Sequence, residues 1–207
     1  MLNDAIMLCS TLICSYKRPD GLEKAIRSIL SRCETPQEVE ILVRFSEADP
    51  DSIAQSGRFT ALGEEMKSTV RVFTGPHLGG YQDIGLHFTT IAREARGKWV
   101  HIFDDDMTLE GRKPWDTLLR RAPERHLVVC ERYTLGASHY DRGSCDGPGI
   151  GWWVPRDCWR EYGEETIGFP PDLWMRTLLV AKNKWSIHHL HGYTLNHQWM
   201  RPKDGDR

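Results

Sequence analysis

The chain has 207 residues, 40% of them hydrophobic and 27% charged, with a formal net charge of -2. These proportions lie near globular averages and exclude disordered, collagen-like and coiled-coil classes, and the length suits one domain spanning 1–207 with a single well-filled core. The charge offers no general attraction to nucleic acid or anionic membrane, and the six cysteines form no C-x-x-C pair, which argues against a zinc knuckle or a disulfide framework; a reducing, cytoplasmic setting is expected.

The first apolar run, Ala5 to Cys14, is too short to cross a bilayer and reads as a buried strand; no longer apolar run follows, so no transmembrane segment is expected. Ser15, Tyr16, Lys17 and Arg18 lead from it to Pro19, whose fixed φ suits the first turn of a helix with Leu22, Ala25, Ile26, Ile29 and Leu30 on one face. A second strand, Val39 to Phe45, runs into an acidic loop from Ser46 to Ser52. A third, Thr69 to Thr74, runs into a glycine-rich turn, Gly75 to Gly80. Ile84, Phe88, Ile91, Ala92 and Ala95 repeat at helical spacing, with Gly97 as the stop. Trp99 to Phe103 then form a short apolar strand that runs straight into Asp104, Asp105 and Asp106.

Beyond the aspartates come a helix from Trp115 to Arg121, a strand from Leu127 to Tyr133, a Gly- and Asp-rich loop through Gly149 and the apolar segment Ile150 to Val154. A helix opening near Asp172 and a last strand around Trp185 to Leu190 lead to a His-rich tail. Strands alternating with amphipathic helices predict an α/β fold with a mixed, mostly parallel central sheet flanked by helices.

Ligands of open parallel sheets gather at the carboxyl ends of the strands, where the three aspartates fall. Side chains two apart on an extended segment point the same way, so Asp104 and Asp106 can face one ligand while Asp105 faces elsewhere. Such hard oxygens suit Mg²⁺ or Mn²⁺ bridging to a diphosphate. The bland alternative is a solvated turn or a helix-start charge cluster; the apolar strand directly before the triplet favours the site.

Three segments carry a resemblance: Thr11-Leu-Ile-Cys-Ser-Tyr-Lys-Arg-Pro19, Gly79-Gly80-Tyr81 with the helix to Gly97, and Lys98-Trp-Val-His-Ile-Phe-Asp-Asp-Asp106. In order and spacing they resemble the first strand, glycine-containing turn and Asp-x-Asp motif of glycosyltransferase family 2 and its relatives of the GT-A fold, over roughly residues 8 to 182. The resemblance implies one Rossmann-like GT-A domain, with a nucleotide-binding part over about 5–110 and an acceptor part over about 111–207. It implies a nucleotide-diphosphate sugar as donor, a UDP-sugar favoured, and Mn²⁺ or Mg²⁺ as cofactor. Ser15, Tyr16, Arg18, Gly80, Asp104 and Asp105 would meet the donor, and Asp106 would hold the metal with help from Asp104.

Cys14 and Lys17 replace the family's usual proline and asparagine, and Arg44 stands near the place where an acidic residue commonly meets the base. There Glu47 or Asp49 could substitute, or Arg44 could pair with phosphate through its bidentate fork. Gly151-Trp-Trp-Val-Pro-Arg156 resembles the sugar-side strand and makes Trp153 a donor-wall candidate, with core filling as the alternative. Gly168-Phe-Pro-Pro-Asp-Leu-Trp174 resembles the motif presenting the general base, which would be Asp172, although Pro171 replaces its acidic neighbour and an Asp opening a helix is otherwise a cap.

Related enzymes often place a late histidine on the cation; His191 is ranked above His197, and imidazole favours Mn²⁺. The implied reaction is inverting transfer of a sugar to an acceptor hydroxyl, of a saccharide or of a hydroxymethylated pyrimidine in phage-type DNA. A nucleotidyltransferase on a similar fold and a non-catalytic nucleotide-sugar-binding module are the competing classes.

Overall fold

The computed structural model describes residues 7–77, 84–123, 125–135, 138–140, 151–162, 179–180 and 183–197. Among them β1 (Cys9–Ser15) lies between β2 (Val39–Ser46) and β4 (Trp99–Asp104), and β3 (Thr69–Gly75) flanks β2, all four running parallel. On the other side of β4 the sheet turns mixed. β8 (Trp152–Pro155) pairs antiparallel with both β4 and β6 (His126–Leu135), β6 runs parallel to β9 (Ser186–His197), and β9 is antiparallel to β5 (Met107–Gly111). The order is β3-β2-β1-β4-β8-β6-β9-β5, and a short β7 (Ser138–Tyr140) pairs with β6.

The parallel half exists because its strands are apolar on both sides. Every residue of β2 is buried, as is all of β1 except Cys14, the pattern of strands covered on two faces. Glu40 is buried too, and its charge is matched at the strands' amino ends: its carboxylate accepts from Ser10 Oγ at 2.6 Å and from Arg96 N at 2.8 Å, with Arg71 at 3.4 Å. Helix α1 (Pro19–Leu30) starts on its proline and buries Leu22, Ala25, Ile26, Ile29 and Leu30 against β1 and β5, the stripe that the sequence spacing predicts.

Several boundaries differ from the sequence expectation. The acidic loop from Ser46 to Ser52 is partly helical: Asp49 accepts from Ser52 N at 3.2 Å and caps α2 (Pro50–Ala54), which continues into α3 (Ser56–Glu65) packed on β3. Asp followed by Pro is a cap and first-turn pair. Helix α4 (Ile84–Ala92) ends before Gly97, and that glycine serves a close approach instead of a helix stop: a Cβ there would lie 2.5 Å from the Cys9 carbonyl carbon and the Ser10 nitrogen. The last strand continues to His197, well past the expected Leu190, because β5 and β6 both pair with its far end. Helices α5 (Trp115–Arg120) and α6 (Arg156–Tyr162) cover β9 and β8. No helix among the described residues is long and apolar enough to cross a membrane, and Cys9, Cys14, Cys33, Cys130 and Cys158 are all free thiols.

Candidate active site

The four parallel strands discharge at one edge: Ser15 and Tyr16 after β1, Ser46 ending β2, His77 just past β3 and Asp104 ending β4. In the β1 to β4 register Cys14 stands opposite Asp104, so Ser15 comes next to the aspartate turn. Ser15 Oγ donates to Asp105 Oδ2 at 2.7 Å, and Arg18 Nη1 reaches Asp105 Oδ1 at 3.3 Å and Asp106 Oδ2 at 3.0 Å. Asp105 and Asp106 are both buried and lie in the turn after β4, so burial does not single out Asp105; what distinguishes it is its hydrogen bond to Ser15. Burial pushes its carboxyl up to about 6, against the opposing pull of Ser15 and Arg18. Gly21 makes this seating possible, because a Cβ at that position would lie 2.6 Å from the Asp105 carbonyl oxygen.

Asp104 and Asp106 converge on the other partner. With His197 they offer three ligand atoms within 4.8 Å of one another. His197 Nε2 lies 3.1 Å from Asp106 Oδ1, and Tyr133 Oη lies 2.7 Å from His197 Nδ1. The histidine arrives through strand register: β5 begins at Met107, immediately after Asp106, and Met107 is the residue paired with His197. Two carboxylates and one imidazole are a fitting donor set for Mn²⁺, and a less natural one for Mg²⁺, which prefers oxygen alone.

His191 is not brought to this group. Six strand residues at about 3.3 Å each put it roughly 20 Å from His197, and there it is exposed, 3.4 Å from Glu131 Oε1. The expected ranking of the two histidines is thus reversed. Arg44 is engaged in the fold beside that edge. Its side chain is buried, its Nη2 donates to the Pro76 carbonyl at 2.9 Å, and desolvation holds its pKa below the usual guanidinium range, so it braces the β3 exit. Asp49 is likewise engaged: burial alone would raise its carboxyl, but the Ser52 and Lys17 hydrogen bonds hold it low, with Lys17 N donating at 2.6 Å. That bond pins Lys17 in the left-handed region at φ 56°, where the family's asparagine would sit more easily than a lysine.

Trp153 belongs to the core. It is fully buried on β8, stacked on the His101 ring at 3.9 Å and 7°, with Trp115 at 5.8 Å. Asp172 and Gly80 lie outside the described residues. Sequence reasoning missed Tyr133 and the grouping at the β1 to β3 end, where the exposed Tyr16 ring meets His77 at 5.2 Å and Ser46 Oγ lies 2.9 Å from His77 Nδ1. The Met107-Thr-Leu-Glu-Gly111 alternation directly after the aspartates was a legible signal for β5 and, through it, for a partner strand.

His101, three residues upstream of Asp104, is fully buried with Thr11 Oγ1 at 3.2 Å from Nδ1, and burial holds its pKa well below the ordinary value of 6.5. The folded state keeps the ring neutral while the unfolded chain takes up a proton near that value, so the stability it contributes is present above about pH 6.5 and lost as the pH falls. The loss should approach about 1.4 kcal/mol per pH unit from this group. Urea melts across that range are expected to show it, and His101→Phe should flatten the slope by one proton; an unchanged slope would contradict the assignment.

No family model and no curated protein matches the chain by sequence. Solved structures do match by shape. Residues covering 95% of this chain superpose on 60% of S. aureus TarS 1-349 in complex with UDP-GlcNAc, with a TM-score of 0.68 and 12% identity. A longer S. aureus TarS structure gives the same TM-score of 0.68 over 93% of this chain and 37% of its own. The fold is GT-A. The mannosyltransferase PcManGT from Pyrobaculum calidifontis, in complex with GDP-Man and Mn²⁺, matches with a TM-score of 0.62 and 17% identity over 96% of this chain and 58% of that one. The chain thus spans between about two-fifths and three-fifths of the length of these structures.

Proposed function

We propose that this GT-A chain is a metal-dependent glycosyltransferase that moves a sugar from a nucleotide-diphosphate sugar to an acceptor hydroxyl. The observation that carries the reading is the convergence of Asp104, Asp106 and His197 at the carboxyl end of β4. TarS in complex with UDP-GlcNAc and PcManGT with GDP-Man and Mn²⁺ support the same donor class and cation, and a UDP-sugar is the favoured donor.

When bound, Mn²⁺ or Mg²⁺ supplies charge neutralisation for the departing diphosphate. The chain's own groups do the rest. The exposed Tyr16 ring, backed by His77, offers a flat apolar face for a nucleobase. Arg18, 32% exposed, brings positive charge to the same edge while orienting Asp106, and Ser15 holds Asp105 in place beside it. By the family resemblance Asp172 accepts the acceptor hydroxyl's proton as that oxygen attacks the anomeric carbon, opposite the leaving nucleoside diphosphate, and the configuration inverts.

A screen of uridine-, guanosine- and thymidine-diphosphate sugars with Mn²⁺ tests this reading. Nucleoside diphosphate release that EDTA abolishes is the expected result. Release of pyrophosphate would indicate a nucleotidyltransferase, and nucleotide binding without any product would indicate a binding module. Among acceptors, a saccharide and a hydroxymethylated pyrimidine in DNA are separated by a salt-dependent DNA shift assay.

A further inference from the structure

The same strand register that delivers His197 also delivers a residue behind it. On β6 Tyr133 pairs with Leu195 and Leu135 with His197, so Tyr133 and His197 are diagonal neighbours on adjacent parallel strands. Their contact is short, 2.7 Å from phenol oxygen to Nδ1, and the far nitrogen of the same ring, Nε2, is the one aimed at Asp106 Oδ1 at 3.1 Å. The imidazole is thus held at both ends, by a hydroxyl on one side and by the acidic group on the other.

We propose that Tyr133 is a positioning residue for the cation site, fixing the orientation of His197 by keeping its Nδ1 hydrogen-bonded. The inference rests on the cation role assigned above to Asp104, Asp106 and His197. An imidazole that ligates through Nε2 must keep its proton on Nδ1, and that N–H then needs an acceptor. The Tyr133 oxygen is in place to accept it. When the proton sits on Nε2 and is donated to Asp106, the same hydroxyl can rotate and donate to Nδ1. One side chain therefore serves either tautomer, which a carboxylate in that position would not do, since it accepts only.

The partly buried pair sets the expected magnitude. Loss of a hydrogen bond that orients a metal-bound histidine weakens metal binding by about 10- to 100-fold. Tyr133→Phe removes one oxygen and leaves the ring that packs in the strand, so its thermal melt should stay close to that of the unaltered protein.

The test is a titration of the full chain with Mn²⁺ alone, followed by electron paramagnetic resonance of the free ion. Protein carrying ¹⁵N-histidine reports in addition the nitrogen modulation of a bound imidazole. Tyr133→Phe is expected to raise the Mn²⁺ dissociation constant about 10- to 100-fold and to weaken that modulation. In a His197→Ala background the same replacement should change the constant no further. Equal Mn²⁺ affinity and equal modulation in Tyr133→Phe would overturn the positioning role, as would a loss of the same size with and without His197. Failure of the unaltered protein to bind Mn²⁺ would instead remove the cation reading itself, and this inference with it.

Discussion

Asp106→Asn is expected to reduce sugar transfer by roughly a thousandfold, because it removes the charge that a cation bridging to the donor needs while keeping the shape of the side chain. Several kcal/mol of leaving-group stabilisation depend on that cation, and about 4 kcal/mol corresponds to three powers of ten in rate. The fold should survive, since an amide can still accept from Arg18 at the position where the carboxylate oxygen now lies 3.0 Å away. Initial rates with the best donor from the screen, taken over a Mn²⁺ series, provide the check. Undiminished turnover in Asp106→Asn would remove the metal role from this carboxylate.

Trp153→Ala should have the largest effect on stability, about 3–5 kcal/mol, the range for emptying a buried aromatic site. The residue has no exposed surface, pairs with His101 of β4 on one side and Val128 of β6 on the other, and its ring packs on those of His101 and Trp115. Since whole domains are stable by only about 5–15 kcal/mol, the variant would be marginal. Trp153→Phe keeps a ring against His101 and is expected to melt lower but to leave the KM for the donor unchanged. A rise in KM without loss of stability would return Trp153 to the donor wall that the sequence resemblance implies.

The parts of the fold that were legible in the sequence are those written in local patterns. The α1 stripe of Leu22, Ala25, Ile26, Ile29 and Leu30 repeats at helical spacing and is buried as that spacing requires. The runs of β1, β2 and β4 are apolar because both of their faces are covered, and this reads directly as continuous hydrophobic sequence. Where local signals compete, the sequence is ambiguous. Asp49-Pro50 reads as loop chemistry although it opens a helix, and Gly97 reads as a helix stop although the backbone of Cys9 and Ser10 passes against it.

The site divides in the same way. The acidic triplet at a strand exit is legible in the sequence, but its division is not: Asp104 and Asp106 converge with His197, Asp105 meets Ser15, and Arg18 reaches both Asp105 and Asp106 in a turn where strand alternation no longer holds. Trp153 and Arg44 leave two readings open in the sequence, because a tryptophan or an arginine looks the same whether it faces a cleft or packs inward, and only its neighbours across the sheet decide.

What the sequence by itself determined is the α/β class, the order of the main strands and helices, and an acidic turn at the carboxyl end of a buried strand; all of these are encoded within windows of a few residues. The tertiary structure alone decided which histidine joins the acidic turn and what stands behind it. Met107 pairs with His197, and Tyr133 lies diagonally across the neighbouring strand from it, through registers between segments up to 90 residues apart. Such registers are set by the packing of the whole sheet, where a one-residue slip would turn each side chain to the opposite face.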